Sequence, residues 1–254
     1  MAFPIIPTVA AGRVLSVLAT TPIGTHTSPL LSSLTKNVGD LLIAIVIIYD
    51  GNSTDAEFSA WGGGFTEFFD SATTTTMGIG CAYKRSTGAE TGTFTVTSAD
   101  ISTNDSAFFL LSIIGAHPIT VPEAGSRASG TGAAADPASF NPAGWDVEET
   151  LWVAVGGSGE DATAGSYTGI ASAPASYTDY ADSGISADVV GGVEGAVAFR
   201  QLSAASEDVG VFSVDISNAR NAACVIAIRP APPTSDQLEG MEIFIQAVNR
   251  RAVW

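Results

Sequence analysis

The chain has 254 residues, 26 acidic and 10 basic, and a formal charge of −16. That balance disfavours nucleic acid as a partner, because phosphate binding is driven by Lys and Arg, and a hydrophobic content of 46% excludes disorder over most of the length. Two lysines, two histidines and two cysteines leave little material for general-base, metal or phosphate chemistry.

Residues 1–24 read as an N-terminal arm. They lack a basic leader, carry Arg13 inside their apolar part and are interrupted by Pro4 and Pro7, so no secretory signal is expected. The run Leu41 to Ile48 is far shorter than the roughly 20 residues a membrane helix needs, and no membrane insertion is expected. It is rich in β-branched residues and bounded by Asp40 and Asp50-Gly51-Asn52, which predicts a buried strand. Asp50, Asn52 and Asp55 offer oxygen ligands in the manner of a calcium loop. The segment lacks the Gly at the sixth position and the Glu at the twelfth, where Trp61 stands, so a solvated turn is the plainer reading; no cofactor is expected, with calcium as the alternative. Thr93 to Thr97 alternates polar and apolar residues as a half-exposed strand does, and Phe108 to Ala116 is a second continuous apolar run. Pro118 to Gly144, with small residues and four prolines, reads as an extended connection. Leu151 to Val155 and Val225 to Ile228 are further core strands. Pro230 to Asp236 breaks the pattern, and beyond it Leu238, Met241, Ile245, Val248 and Ala252 fall at helical spacing, although Met241, Ile243 and Ile245 also alternate as in a strand. This tail, with Met241, Phe244, Ile245, Val248 and Trp254, is the candidate assembly segment. Cys81 and Cys224 lie in strand-like text and read as buried thiols, with a single disulfide as the alternative.

The chain resembles itself. Asp100-Ile101-Ser102 with Ala107 recurs as Asp215-Ile216-Ser217 with Ala222, Ala82-Tyr83-Lys84 as Ala198-Phe199-Arg200, and Glu90, Gly92, Phe94 and Val96 as Glu207, Gly210, Phe212 and Val214. Gly39 to Ile45 has a looser counterpart in Glu149 to Val155. The period is too long for a solenoid. It predicts an all-β, jelly-roll-like sandwich built from a duplicated half-fold over residues 25–230: half one 25–117, connection 118–144 and half two 145–230, followed by a Pro-rich break and tail over 231–254. Each half is expected to supply four or five strands and to pack its apolar face on the other.

No motif identifies a reaction. Gly156-Gly157-Ser158-Gly159-Glu160 misses the last glycine of a nucleophile elbow, Ser33-Leu34-Thr35-Lys36 has no partner motif, and Gly130 to Ala135 sits in the Pro-flanked connection. His26 and His117 have no nucleophile and orienting group placed around them by sequence. The repeated acids Glu90 and Glu207 precede a glycine and a strand, which suits capping a turn or pairing with Arg85 or Arg200. Trp61, Tyr167, Tyr177 and Tyr180 lie in loop-like text, where aromatic rings would suit the apolar faces of a glycan.

The series Gly39 to Ile43, Asp50-Gly51-Asn52, Trp61 with Gly64-Phe65-Thr66, Ala82 to Arg85 with Thr87-Gly88 and Glu90, and Thr93 to Thr97 resembles a group of tailed-bacteriophage virion proteins of β-sandwich type. Leu151 to Val155, Tyr177-Thr178, Arg200-Gln201-Leu202 and Ser206-Glu207-Asp208 continue the resemblance, which covers roughly residues 25 to 230. It implies a non-enzymatic structural component, made in the host cytoplasm and displayed on the particle surface at the tail or fibre, with a capsid decoration protein as the alternative. Implied partners are other virion proteins, further copies of the chain and a host-surface glycan. A carbohydrate-binding module or glycosidase is the alternative from a different class.

Overall fold

The computed structural model describes residues 3–15, 24–49, 58–71, 77–98, 105–163, 169–183, 190–214 and 220–233. Within them the chain is all-β, with one 3-10 turn at Leu31–Ser33 and no α-helix among the described residues. No described helix is long and apolar enough to cross a membrane.

Half one carries β1 (Ile5–Leu15), β2 (Gly24–Thr27), β3 (Leu41–Tyr49), β4 (Phe58–Trp61), β5 (Thr66–Asp70), β6 (Met77–Arg85), β7 (Thr95–Ser98) and β8 (Asp105–Ile114). They form a five-stranded antiparallel sheet in the order β1-β8-β3-β6-β5 and a small sheet β2-β7-β4. Pairing of first with eighth, second with seventh and third with sixth strand is jelly-roll winding, two sheets wrapped from one long folded ribbon. The second half repeats it with β9 (Glu123–Ala124), β10 (Ala128–Thr131), β11 (Ala134–Ala135), β12 (Glu148–Thr163), β13 (Ile170–Ser172), β14 (Thr178–Asp182), β15 (Val190–Ala204), β16 (Phe212–Val214) and β17 (Arg220–Ile228). Its large sheet runs β10-β17-β12-β15-β14, with β9 on β17, and its small sheet runs β11-β16-β13.

The repeat holds at the level of register. Leu41 lies opposite Ile113 on one side and Arg85 on the other. Its counterpart Leu151 lies opposite Ile228 and Gln201. These are the same pairs that the sequence repeat aligns.

Among the described residues each half, with β1 from the arm or β9 to β11 from the connection, has eight strands or more, rather than the expected four or five, and is a sandwich in its own right. Phe58, Phe94, Val96, Phe108 and Leu110 fill the core of half one. Trp152, Phe212, Val214 and Val225 fill that of half two. A third core joins the halves: Ile43, Ile45, Ile47 and Phe109 from the first large sheet meet Val153, Val155, Val197 and Ile226 from the second. The body is therefore four sheets deep, small-large-large-small. That layering explains the unbroken apolar runs, because a sheet covered on both faces buries every residue, as β3 does from Leu41 to Tyr49. Across the central core β3 packs on β12, β8 on β15 and β6 on β17, a pattern that maps onto itself when the halves are exchanged. It is the self-complementary contact of a two-fold dimer, written into one chain.

Residues 1–24 contribute β1 to the edge of the first large sheet, and the connection 118–144 contains β9, β10 and β11. Pro7 falls at the register shift between Ile5 and Thr8, where a strand tolerates a residue with no amide to donate.

His26 is wholly buried on β2, its Nε2 3.0 Å from Ser98 Oγ and its ring edge-on to Phe58 at 6.4 Å. Burial lowers its pKa to about 4. The unfolded histidine protonates near 6.5 while the folded one stays neutral, so its stabilisation is complete above that pH and is lost as pH falls from 6.5 towards 4. The full shift corresponds to about 3 kcal/mol. Urea titrations from pH 7 to 4.5 are expected to show His26→Gln losing less stability than the parent protein; parallel pH profiles would refute the assignment.

Candidate functional site

The repeated acids form repeated ion pairs. β6 places Lys84 beside Glu90, Nζ to Oε1 at 3.5 Å, and β15 places Arg200 beside Glu207, Nη1 to Oε1 at 2.6 Å. Glu90 also caps its turn, accepting from the Thr87 amide at 2.7 Å and the Ser86 hydroxyl at 3.0 Å. Burial acts to raise its pKa, but these donors outweigh it and hold the carboxyl down at about 2. Alternation along β6 explains why Lys84 rather than Arg85 meets Glu90: neighbours point to opposite faces. Arg85 turns the other way and donates to the carbonyls of Gly39 and His117. The Glu207 side chain is 4% exposed, so Glu207→Gln is expected to cost about 2 kcal/mol in a urea titration. A cost below a few tenths would mean that the pair does not hold the β15–β16 turn.

Of the four aromatic candidates, the side chains of Tyr177 and Trp61 are described, and both are engaged within the fold. Tyr177 is buried in the core of half two, its amide bonded to the Pro174 carbonyl at 2.9 Å in a tight turn that folds the ring inward. Burial and the neighbouring Glu207 carboxylate push its phenol pKa up. It offers no open face to a sugar, contrary to its reading as a glycan contact. Trp61 is half-buried, packed on Phe58 at 6.0 Å, and its indole donates to Glu67 Oε2 at 2.7 Å. Tyr180 lies on β14 with its side chain outside the description, and Tyr167 lies outside the described residues. So do the calcium candidates Asp50, Asn52 and Asp55 and the assembly residues Met241, Phe244, Ile245, Val248 and Trp254. Among the described residues no three acidic, histidine or cysteine side chains cluster as metal ligands would.

The most site-like feature sits where the link between the halves meets the last described residues. The His117 amide donates to the Arg229 carbonyl at 2.8 Å and the Ala231 amide to the Gly115 carbonyl at 2.7 Å, with a β-bridge between Ala116 and Pro230. These contacts bind residues 229–231 to the link between the halves. Beside them opens a cavity of about 280 Å³ lined by His117, Glu148, Arg229, Pro230, Pro232 and Pro233. Arg229 Nε donates to Glu148 Oε2 at 2.7 Å, and its guanidinium lies 5.7 Å from the Trp145 ring centre. His117 Nδ1 accepts from the Thr120 amide at 3.0 Å. The two charged groups therefore satisfy each other, and the remaining walls are His117 and three prolines. Such a site can seat an apolar segment; it places no nucleophile beside a base. Sequence reading named the Pro-rich break but not Glu148 or Arg229, which are far apart in the chain and meet only across β12 and β17.

No protein-family model, curated protein sequence or solved structure matches this chain.

Proposed function

We propose that this protein is a non-enzymatic structural component of a tailed-phage virion, displayed at the tail or fibre. The observation that carries the reading is the anchoring of residues 229–231: two backbone hydrogen bonds and a bridge fix them to a four-layer body, beside a cavity lined in part by prolines. The described chain thus ends at a defined place on that body, as the start of an attachment segment needs to. The sequence resemblance to phage β-sandwich proteins points the same way. The acids best placed for chemistry in the sequence, Glu90 and Glu207, are engaged by basic partners within the fold. The surplus of negative charge suits solubility of a body present in many copies.

Gold-labelled antibody on purified particles tests this. Repeated label at the tail or fibre is expected; label over the capsid would move the protein to a decoration role, and label absent from particles would refute both. A chain ending at residue 233 is expected to fold and to be missing from particles. Its incorporation at the normal level would remove the attachment role of the tail.

A further inference from the structure

We propose that Cys81 and Cys224 form a latent disulfide that locks the two halves of the body together. Both are free thiols with no solvent exposure. Cys81 lies on β6, opposite Ile45 of β3, and Cys224 on β17, opposite Val155 of β12. β6 and β17 pack on each other across the central core, and both cysteines belong to it. After burial, Cys224 is the group that acts most strongly on the Cys81 thiol, as a close neighbour does. The residues are 143 positions apart in the chain and come from opposite halves, so a bond between them would be the one covalent link across the interface apart from the backbone itself. Only two cysteines exist, and the fold brings them together.

Burial and then the neighbouring Cys224 push the Cys81 pKa up. With a peroxide as oxidant, the thiolate of one cysteine attacks one peroxide oxygen and the O–O bond breaks, giving a sulfenic acid; the departing hydroxide takes up that thiol's proton as water. The sulfur of the other cysteine then displaces hydroxide from the sulfenic sulfur, the S–S bond forms, and its proton leaves with that hydroxide as a second water. Two thiols lose two electrons and two protons, and one hydrogen peroxide becomes two waters. In a reducing cytoplasm the pair stays open, and in an oxidising medium it closes.

The test treats the full chain with hydrogen peroxide under native conditions, blocks remaining thiols in denaturant and maps the peptides. Both thiols are expected to vanish together into one intramolecular Cys81–Cys224 peptide, restored by dithiothreitol. The loop closed is long, so the melting temperature is expected to rise on the order of 10 °C. Cys81→Ser, or Cys81→Ala should the serine not fold, is expected to abolish that rise and leave Cys224 as a sulfenic or sulfinic acid. Independent over-oxidation of the two cysteines in the parent chain, cross-links between chains, or two thiols that stay free in the folded protein would overturn the proposal.

Discussion

Phe109→Ala is expected to destabilise the protein by about 3–5 kcal/mol, read as a drop in the urea midpoint without a change in slope. Phe109 is fully buried in the central core, on the face of β8 that meets half two. Truncation removes the transfer free energy of the ring and leaves a cavity between two sheets, neither of which can close on it without breaking ladder hydrogen bonds. A fluorescence transition that stays single would show that the halves unfold together. Two separated transitions after the substitution would show that each half is stable alone and that the central core contributes little to cooperativity.

Gly195→Val acts on the same contact from the opposite side and is expected to cost about 3 kcal/mol or more. A Cβ at Gly195 would lie 2.8 Å from Ala107 Cβ, 2.8 Å from Phe109 Cε2 and 2.7 Å from Ile47 Cδ1. Ile47 and Phe109 can swing their tips aside. Ala107 Cβ cannot move without its strand. The glycine is thus the notch that lets the large residues of half one sit against β15. Combining Gly195→Val with Phe109→Ala is expected to recover about 1 kcal/mol relative to the sum of the single changes, since one obstructing group is gone while Ala107 remains. Strict additivity, or a Gly195→Val protein as stable as the parent, would mean that the halves are not held at this distance.

Much of the architecture is legible in the residues. The repeat of Ala82-Tyr83-Lys84 in Ala198-Phe199-Arg200 and of Ala107 in Ala222 identifies strands with the same place in both halves, and the observed register agrees with it. What the residues do not reveal is the number of layers. A continuous apolar run such as Leu41 to Ile48 says that both faces are covered without saying by what. The strands that complete each sandwich are too short to carry a period: Ala134–Ala135 is two residues long, and Phe212–Val214 three. β1 is interrupted by Pro7, so it reads as an arm.

The polar sites divide in the same way. Glu207 with Arg200 follows directly from the repeat, while Lys84 is Glu90's partner because of strand alternation, a local rule that outranks the greater pairing strength of the adjacent Arg85. Tyr177 looks exposed in the sequence because its neighbours are turn residues; the turn itself directs the ring inward. Glu148 and Arg229 carry no local signal, since their pairing depends on the β12–β17 register. The cysteines are the same kind of case, 143 positions apart in sequence and in one core only once the halves pack.

The proposed role of this duplicated body as a displayed part of a phage particle is tested most directly by quantitative peptide mass spectrometry of density-purified particles. The chain is expected to co-sediment with particles at a fixed, multiple copy number relative to a tail or capsid protein and to survive a salt wash. Recovery of the chain only in the soluble lysate, with none above background in particles, would contradict it.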